Sequence, residues 1–317
     1  MNPGLLYSMT KYELRLLLRS RWLLNFMILF FFLAGLLYLY GLQSVKSEPA
    51  EVSYGLEGVN ANIETMGVNP EYYGLKEIKP EEGDTADFSQ SAYNRSIAML
   101  MNLSLWMLPI ICMILGGSSI IADKENGRLS LYRTYHESSG YYLISKFLSL
   151  VLSLFFVIGL SYGLFGFIYS LAGSSFAAHI FQVFLLVNMF LILVFSAVSL
   201  LIGVISKSRM QGLSAAIIFW IIMVFVYEFI IFSVTGWIPY SLKQISLFFL
   251  ILLNPVESVR VWSISKLNSE YVFGPEYLMI EKWGANGSLT LALTLSIILI
   301  IFITFITSAR LLTKRGV

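Results

Sequence analysis

Charge is scarce in this chain of 317 residues: Asp, Glu, Lys and Arg make up 13% of it, against about 25% in ordinary soluble domains. With 57% hydrophobic residues and a mean hydropathy of +0.76, that scarcity excludes a water-soluble globule. Cysteine is almost missing; Cys112, inside an apolar run, is the single example, so no internal disulfide and no cysteine metal cluster can form. Histidine occurs twice, at His136 and His179, in segments expected on opposite sides of a membrane, so neither a Ser–His pair nor an H-E-x-x-H zinc site is available. No G-x-x-x-x-G-K-[ST] phosphate loop is present. The formal net charge of +2 is too small for a nucleic-acid binder that neutralises phosphates. No catalytic residue, no metal site and no nucleic-acid partner are therefore expected; the partner is the lipid membrane.

Six runs are long and apolar enough to cross it: 22–42, 97–121, 147–171, 180–205, 213–234 and 289–309. Each is free of Lys and Arg, and one carboxylate, Glu228, falls among them. The first is longer than the apolar core of a signal peptide and is read as a retained helix. An all-α polytopic membrane protein with six transmembrane helices follows. With the N-terminus inside, the inner segments hold 13 basic and four acidic residues, the outer ones eight and 14. This is the charge bias of a cytoplasmic face, so both termini are expected in the cytoplasm of a multi-pass cell-membrane protein. A further apolar run, residues 245–253, is half a bilayer long and is ended by Asn254-Pro255. A full crossing there would put the basic C-terminus outside, so a re-entrant or interfacial helix within an outer region, 235–288, is the expectation. Trp237, Trp262 and Trp283 in that region are expected as interfacial anchors.

The largest segment outside the apolar runs, 43–94, has ten acidic residues between Glu48 and Asp87. It reads as an outer insertion, either a solvated acidic loop or a platform for a substrate or an extracytoplasmic accessory protein. At the N-terminus, 1–21, Leu5, Met9, Tyr12 and Leu16 form one stripe beside Lys11, Arg15 and Arg19. That pattern predicts an interfacial helix, with a plain inward extension of the first span as the competing reading.

The link between the second and third spans, 122–146, reads Asp123-Lys124-Glu125-Asn126-Gly127-Arg128-Leu129-Ser130-Leu131-Tyr132, then Ser138, then Leu143-Ile144-Ser145-Lys146-Phe147-Leu148. It resembles the cytoplasmic loop of ABC-2 type exporter permeases, E-x-G-T-L-x-L-L, then P-x-S-R, then L-L-G-K-F-L. Glu125, Gly127, Leu129, Leu131, Ser138, Lys146, Phe147 and Leu148 fall on matching positions. Arg128, Tyr132, His136, Ser139 and Ser145 depart from it. Glu13-Leu14-Arg15 through Arg19-Ser20-Arg21-Trp22, and Leu253-Asn254-Pro255-Val256-Glu257 with Arg260, look like the NosY-type branch of that family.

The resemblance implies the six-helix ABC-2 (type V exporter) architecture, with a second permease copy as a homodimer and two copies of a separate ABC ATPase that holds ATP and Mg; this chain itself would bind no cofactor. It also implies that the short segment around Gly127 docks on the ATPase, with Glu125, Gly127, Arg128, Leu129, Leu131, Tyr132 and Lys146 as coupling residues. An ordinary basic loop is the competing reading. Asn254, Pro255, Glu257 and Arg260 become residues of interest in the outer region. In the spans, Asn102, Pro109 and the Gly116-Gly117 pair, like Gly159 and Gly163, suit either close packing or a moving gate. Glu228 is expected to face a protein groove or a wet vestibule, with Arg260 or Lys243 as counter-charge; a locally thinned interface is the alternative. A scaffold or signalling protein that binds an outer partner through the acidic insertion and transports nothing is the rival of a different class.

Overall fold

A computed structural model of the chain describes residues 3–19, 21–40, 43, 85–129, 139–171, 178–267 and 288–314. Among these there is helix and no strand. In hydrocarbon each backbone polar group must find its partner inside its own segment, and these apolar runs do so as helices. The elements are α1 (Pro3–Leu18), α2 (Arg21–Tyr40), α3 (Thr85–Glu125), α4 (Ser139–Leu171), α5 (Ala178–Ile205), α6 (Arg209–Ile221), α7 (Tyr227–Trp237), α8 (Tyr240–Leu253), α9 (Pro255–Leu267) and α10 (Ser288–Lys314). A single π-turn, Ile222–Val226, joins α6 to α7.

Six of these segments are long and apolar enough to span a membrane, namely Arg21–Tyr40, Met99–Glu125, Gly140–Leu164, His179–Ile205, Arg209–Ile231 and Leu289–Lys314. They coincide with the six runs read from the sequence. The chain is a multi-pass membrane protein. One boundary differs from expectation. α3 starts at Thr85, so ten positions assigned to the outer insertion belong to a helix of 41 residues; residues 44–84 lie outside the described set. The half-length run at Ile245–Leu253 is part of a pair of helices, α8 and α9, whose direction changes by 113° between them.

α5 lies at the centre, packed on α3, α4, α9 and α10, with Phe184, Leu191, Val194 and Phe195 wholly buried. Lipid is as apolar as Leu, so helices associate here through close packing and interhelical hydrogen bonds rather than hydrophobic burial. Glycine supplies the close packing. A Cβ on Gly116 would collide with Ser199 Oγ and stand 2.7 Å from Leu150 Cδ2, and one on Gly203 would stand 3.0 Å from the Gly117 carbonyl oxygen. By contrast, a Cβ on Gly159 or Gly163 meets nothing within 4 Å; their G-x-x-x-G pattern packs no helix pair among the described residues.

Serine supplies much of the buried polarity. Ser145, Ser149 and Ser153, one turn apart on α4, donate to the carbonyls of Tyr142, Lys146 and Ser149 at 2.8, 2.9 and 2.7 Å. Their hydroxyls are thus satisfied within the helix that carries them. α10 leaves Leu291, Leu295, Ile298, Leu299, Phe302 and Ile303 exposed on one side, as a face turned to lipid requires. At one pole of the bundle a second apolar cluster joins Ile120, Leu129, Tyr142, Leu143, Leu200, Val204 and Leu312. The ends of α3, α5 and α10 and the start of α4 therefore meet at that pole, which also carries α1.

Candidate functional site

The polar pole is organised by three consecutive residues in the last turn of α3. Successive side chains on a helix point about 100° apart, so Asp123, Lys124 and Glu125 reach three different neighbours. Asp123 is buried; its Oδ2 lies 2.7 Å from Lys146 Nζ and accepts a 2.9 Å hydrogen bond from Tyr142 Oη, both on α4. Lys124 Nζ donates to the carbonyls of Gly203, Val204 and Ser206 at 2.9, 2.7 and 2.9 Å. A cation there meets the negative end of α5 and satisfies carbonyls that the helix terminus leaves open. Glu125 Oε2 lies 2.6 Å from Arg209 Nε at the start of α6, where Ser208 caps the helix by accepting from the Gln211 N–H.

Lys146 extends the network to the N-terminus. Its Nζ reaches Glu13 Oε2 on α1 at 2.7 Å and Ser119 Oγ at 2.9 Å in addition to Asp123. An ammonium has three protons to donate, and three acceptors surround this one. Lys146 and both carboxylates are nearly inaccessible, at 4 to 6% side-chain exposure. The half-exposed Arg128 adds a second cation 3.6 Å from Asp123 Oδ1. One turn of α3 thus holds α1, α4, α5 and α6 together by charge.

Immediately beyond it, Gly127 ends α3 with a φ of 69°. This left-handed conformation is costly for any residue with a Cβ and is the usual C-terminal helix stop. The motif glycine therefore has a backbone reason. Glu125, Gly127 and Arg128 are exposed. Two residues expected to couple to a partner are instead turned inward. Leu129 is buried in the polar-pole cluster, and Lys146 is enclosed by its own chain. Leu131, Tyr132, His136 and Ser138 lie outside the described residues.

The N-terminal stripe divides between two surroundings. Tyr12 and Leu16 are exposed, and Glu13 on another side of α1 is the buried residue. Leu5 and Met9 of the same stripe are half-buried, with Met9 against the second apolar cluster.

At the other end of the fifth span lies a second ionic group. Arg260 Nη1 on α9 stands 3.2 Å from Glu228 Oε1 on α7 and 3.0 Å from Glu257 Oε1. Glu257 is fully buried and Glu228 is about one-third exposed. Arg260 thus occupies the place of the expected counter-charge. Tyr227 Oη donates to the Leu250 carbonyl at 2.7 Å.

Asn254, at the bend between α8 and α9, holds both sides of it. Its Nδ2 donates to the Met223 carbonyl in the π-turn at 2.7 Å, and its Oδ1 accepts from the Val256 N–H at 2.9 Å. Asn at the cap with Pro255 in the first helical position is a strong start signal for α9. Met223 lies midway between Arg209 and Trp237, and Ser296, well inside α10, donates to the Leu252 carbonyl at 2.5 Å. The bend therefore sits within the depth of the fifth span rather than in a surface loop. Trp262, expected as an interfacial anchor, is buried edge-on against Phe190 at 5.2 Å.

Of the other residues singled out, Gly116 and Gly117 line the close contact of α3 with α5, and Asn102 is half-buried on α3. Pro109 lies within α3 without ending it, and Trp220 Nε1 donates to the Trp106 carbonyl at 2.8 Å. That carbonyl adjoins the Leu105 carbonyl, which Pro109 deprives of its helical donor. Sequence reasoning missed Glu13 and Gly203 as functional or packing positions. A lone carboxylate among the basic residues of an otherwise apolar helix was the available signal for Glu13.

A sequence model described as ABC-2 family transporter protein matches residues 7–316. The chain is also similar to the probable ABC transporter permease protein NosY of Pseudomonas aeruginosa, with 25% identity over 205 residues, covering 63% of this chain and 74% of that protein.

Proposed function

The chain belongs to the ABC-2 family of transporter proteins, and from that premise we propose that it is the membrane-spanning subunit of an ATP-driven exporter whose ATPase is a separate chain. The observation that carries this reading is the turn Asp123-Lys124-Glu125. It ends at the left-handed Gly127, where the motif-bearing loop begins, and binds four other helices. A push on the loop at Gly127 is delivered through Lys146 to α1 and α4, through Lys124 to α5 and through Arg209 to α6. This is the mechanical property a coupling element needs, since interfaces of this kind shift between discrete packings. The exposed Glu125 and Arg128 are the residues available to the ATPase; Lys146 and Leu129 act from inside.

The polar pole carries Lys124, Arg128, Lys146, Arg209 and the ends of α1 and α10, and by the positive-inside rule it is the cytoplasmic one. Both termini then lie in the cytoplasm. ATP and Mg are held by the ATPase. The assembly is two copies of this chain with two ATPase subunits, working by alternating access.

The test is purification of the chain from its own membrane in mild detergent, followed by reconstitution. A stoichiometric ATPase is expected to accompany it. Gly127→Pro, which forbids the left-handed turn, is expected to leave insertion intact and to abolish the effect of this subunit on ATP hydrolysis. Recovery without any ATPase would favour a scaffold role and overturn the exporter reading.

A further inference from the structure

The outer half of the fifth span is turned relative to the inner half, and the turn has a visible cause. On a helix with about 100° per residue, Ile231 would stand about 100° from Gly212 and Glu228 about 160° away, on the opposite side. Yet Gly212, Ala216, Val224 and Ile231 are all buried, and Glu228 meets Arg260. The π-turn at Ile222–Val226, closed by the Tyr227 N–H to Ile222 carbonyl bond, takes up one extra residue. Subtracting it brings Ile231 to about 0° and Glu228 to about 60° from Gly212. Phe229 then falls about 160° away, and it is 75% exposed.

A π-turn leaves its carbonyls imperfectly served, and one of them, that of Met223, accepts from Asn254 Nδ2 at 2.7 Å. Asn254 is wholly buried and reaches this carbonyl from a different part of the chain, the bend between α8 and α9. We infer that Asn254 is a positioning residue for the Glu228–Arg260 pair: it holds the π-turn and so sets the rotation of α7. Without its bond the span relaxes to an unbroken α-helix, and α7 rotates by about 100°. Ile230 then takes the place of Ile231, and Tyr227 that of Glu228. The inference concerns the rotation of one helix and stands whether or not the chain moves a substrate.

The test is a nitroxide scan of residues 227 to 234 in a Cys112→Ala background in lipid, with oxygen accessibility as the readout. In the otherwise native chain the minimum is expected at Ile231. Asn254→Ser keeps a cap oxygen for the Val256 N–H but is too short to reach Met223, and it is expected to move the minimum to Ile230. A minimum that stays at Ile231 overturns the inference. Deleting Met223 from the Asn254→Ser chain removes the residue that the π-turn absorbs, and it is expected to return the minimum to Ile231. If Asn254→Ser alone fails to insert, the same deletion is expected to restore insertion with the minimum at Ile231. A deletion that restores neither overturns the inference as well.

Discussion

The two ionic groups, at opposite ends of the bundle, differ in how far along the chain their members lie. Lys146 joins Glu13 across 133 positions, and Lys124 joins the end of α5 across 79 to 82. The other group is local: Glu228 and Arg260 are 32 apart, Asn254 and Met223 are 31 apart, and Tyr227 and Leu250 are 23 apart. The first group therefore ties together helices far apart in the sequence, whereas the second ties the span α6–α7 to the α8–α9 pair that follows it.

The largest expected effect is at the polar pole. Lys146→Met leaves Glu13 and Asp123 buried without their shared cation, and breaking a buried pair costs about 3–5 kcal/mol. Unfolding in mixed detergent is expected to show a loss of that size. Adding Glu13→Gln and Asp123→Asn to the same chain is expected to recover most of it, because no buried charge is then left unpaired. Arg260→Met is expected to cost less in all, since it strands one fully buried carboxylate, Glu257, where Lys146→Met strands two, and its other partner Glu228 is about one-third exposed. An Arg260→Met loss equal to that of Lys146→Met would break the comparison.

Next come the glycines. Gly116→Ala and Gly203→Ala force α3 and α5 apart, and overpacking of this kind costs about 1–3 kcal/mol. Gly159→Ala meets open space and is expected to leave the unfolding midpoint of the isolated chain unchanged. Smaller again is Arg209→Gln. Its pair with Glu125 is exposed, and such pairs contribute at most about 1 kcal/mol; a shift larger than that would mean the α5–α6 corner depends on Arg209 for more than charge.

The legible parts of this molecule were those that composition and local pattern encode. Apolar runs located all six spans, and Asn254-Pro255 marked a helix boundary because both residues act on their own backbone. Gly127 was legible as a motif position, and its φ of 69° supplies the reason. What pairs with Lys146 was not legible. A loop motif says which residues recur and not which way they face: Lys146 and Leu129, read as coupling residues, point into their own chain. Glu13 lies 133 positions away, and no local rule connects two such residues. The π-turn was hidden for another reason: its sequence Ile222-Met223-Val224-Phe225-Val226 is an ordinary apolar stretch, and the cause of the turn lies in Asn254. Arg260 was legible only as one of two candidate partners of Glu228, beside Lys243, because a carboxylate in an apolar span calls for a cation and few were near in the sequence.

A small expected change in stability also separates structure from function at the junction of α7 with α9. Glu228→Gln removes the charge while keeping size and hydrogen bonding, and Arg260 retains Glu257 at 3.0 Å as a counter-charge. The cost is therefore expected to be within about 1 kcal/mol, with normal insertion and assembly. Glu257→Gln is the contrast, because that carboxylate is fully buried and its loss leaves the guanidinium with a partly solvated partner. If Glu228 serves the transport path, ATP-driven transport in reconstituted vesicles falls with Glu228→Gln although stability does not. Glu257→Gln then lowers both together. Unchanged transport with Glu228→Gln and also with Glu228→Leu would leave the carboxylate with no role in the path, and would reduce the pair to a surface ion pair beside a buried one.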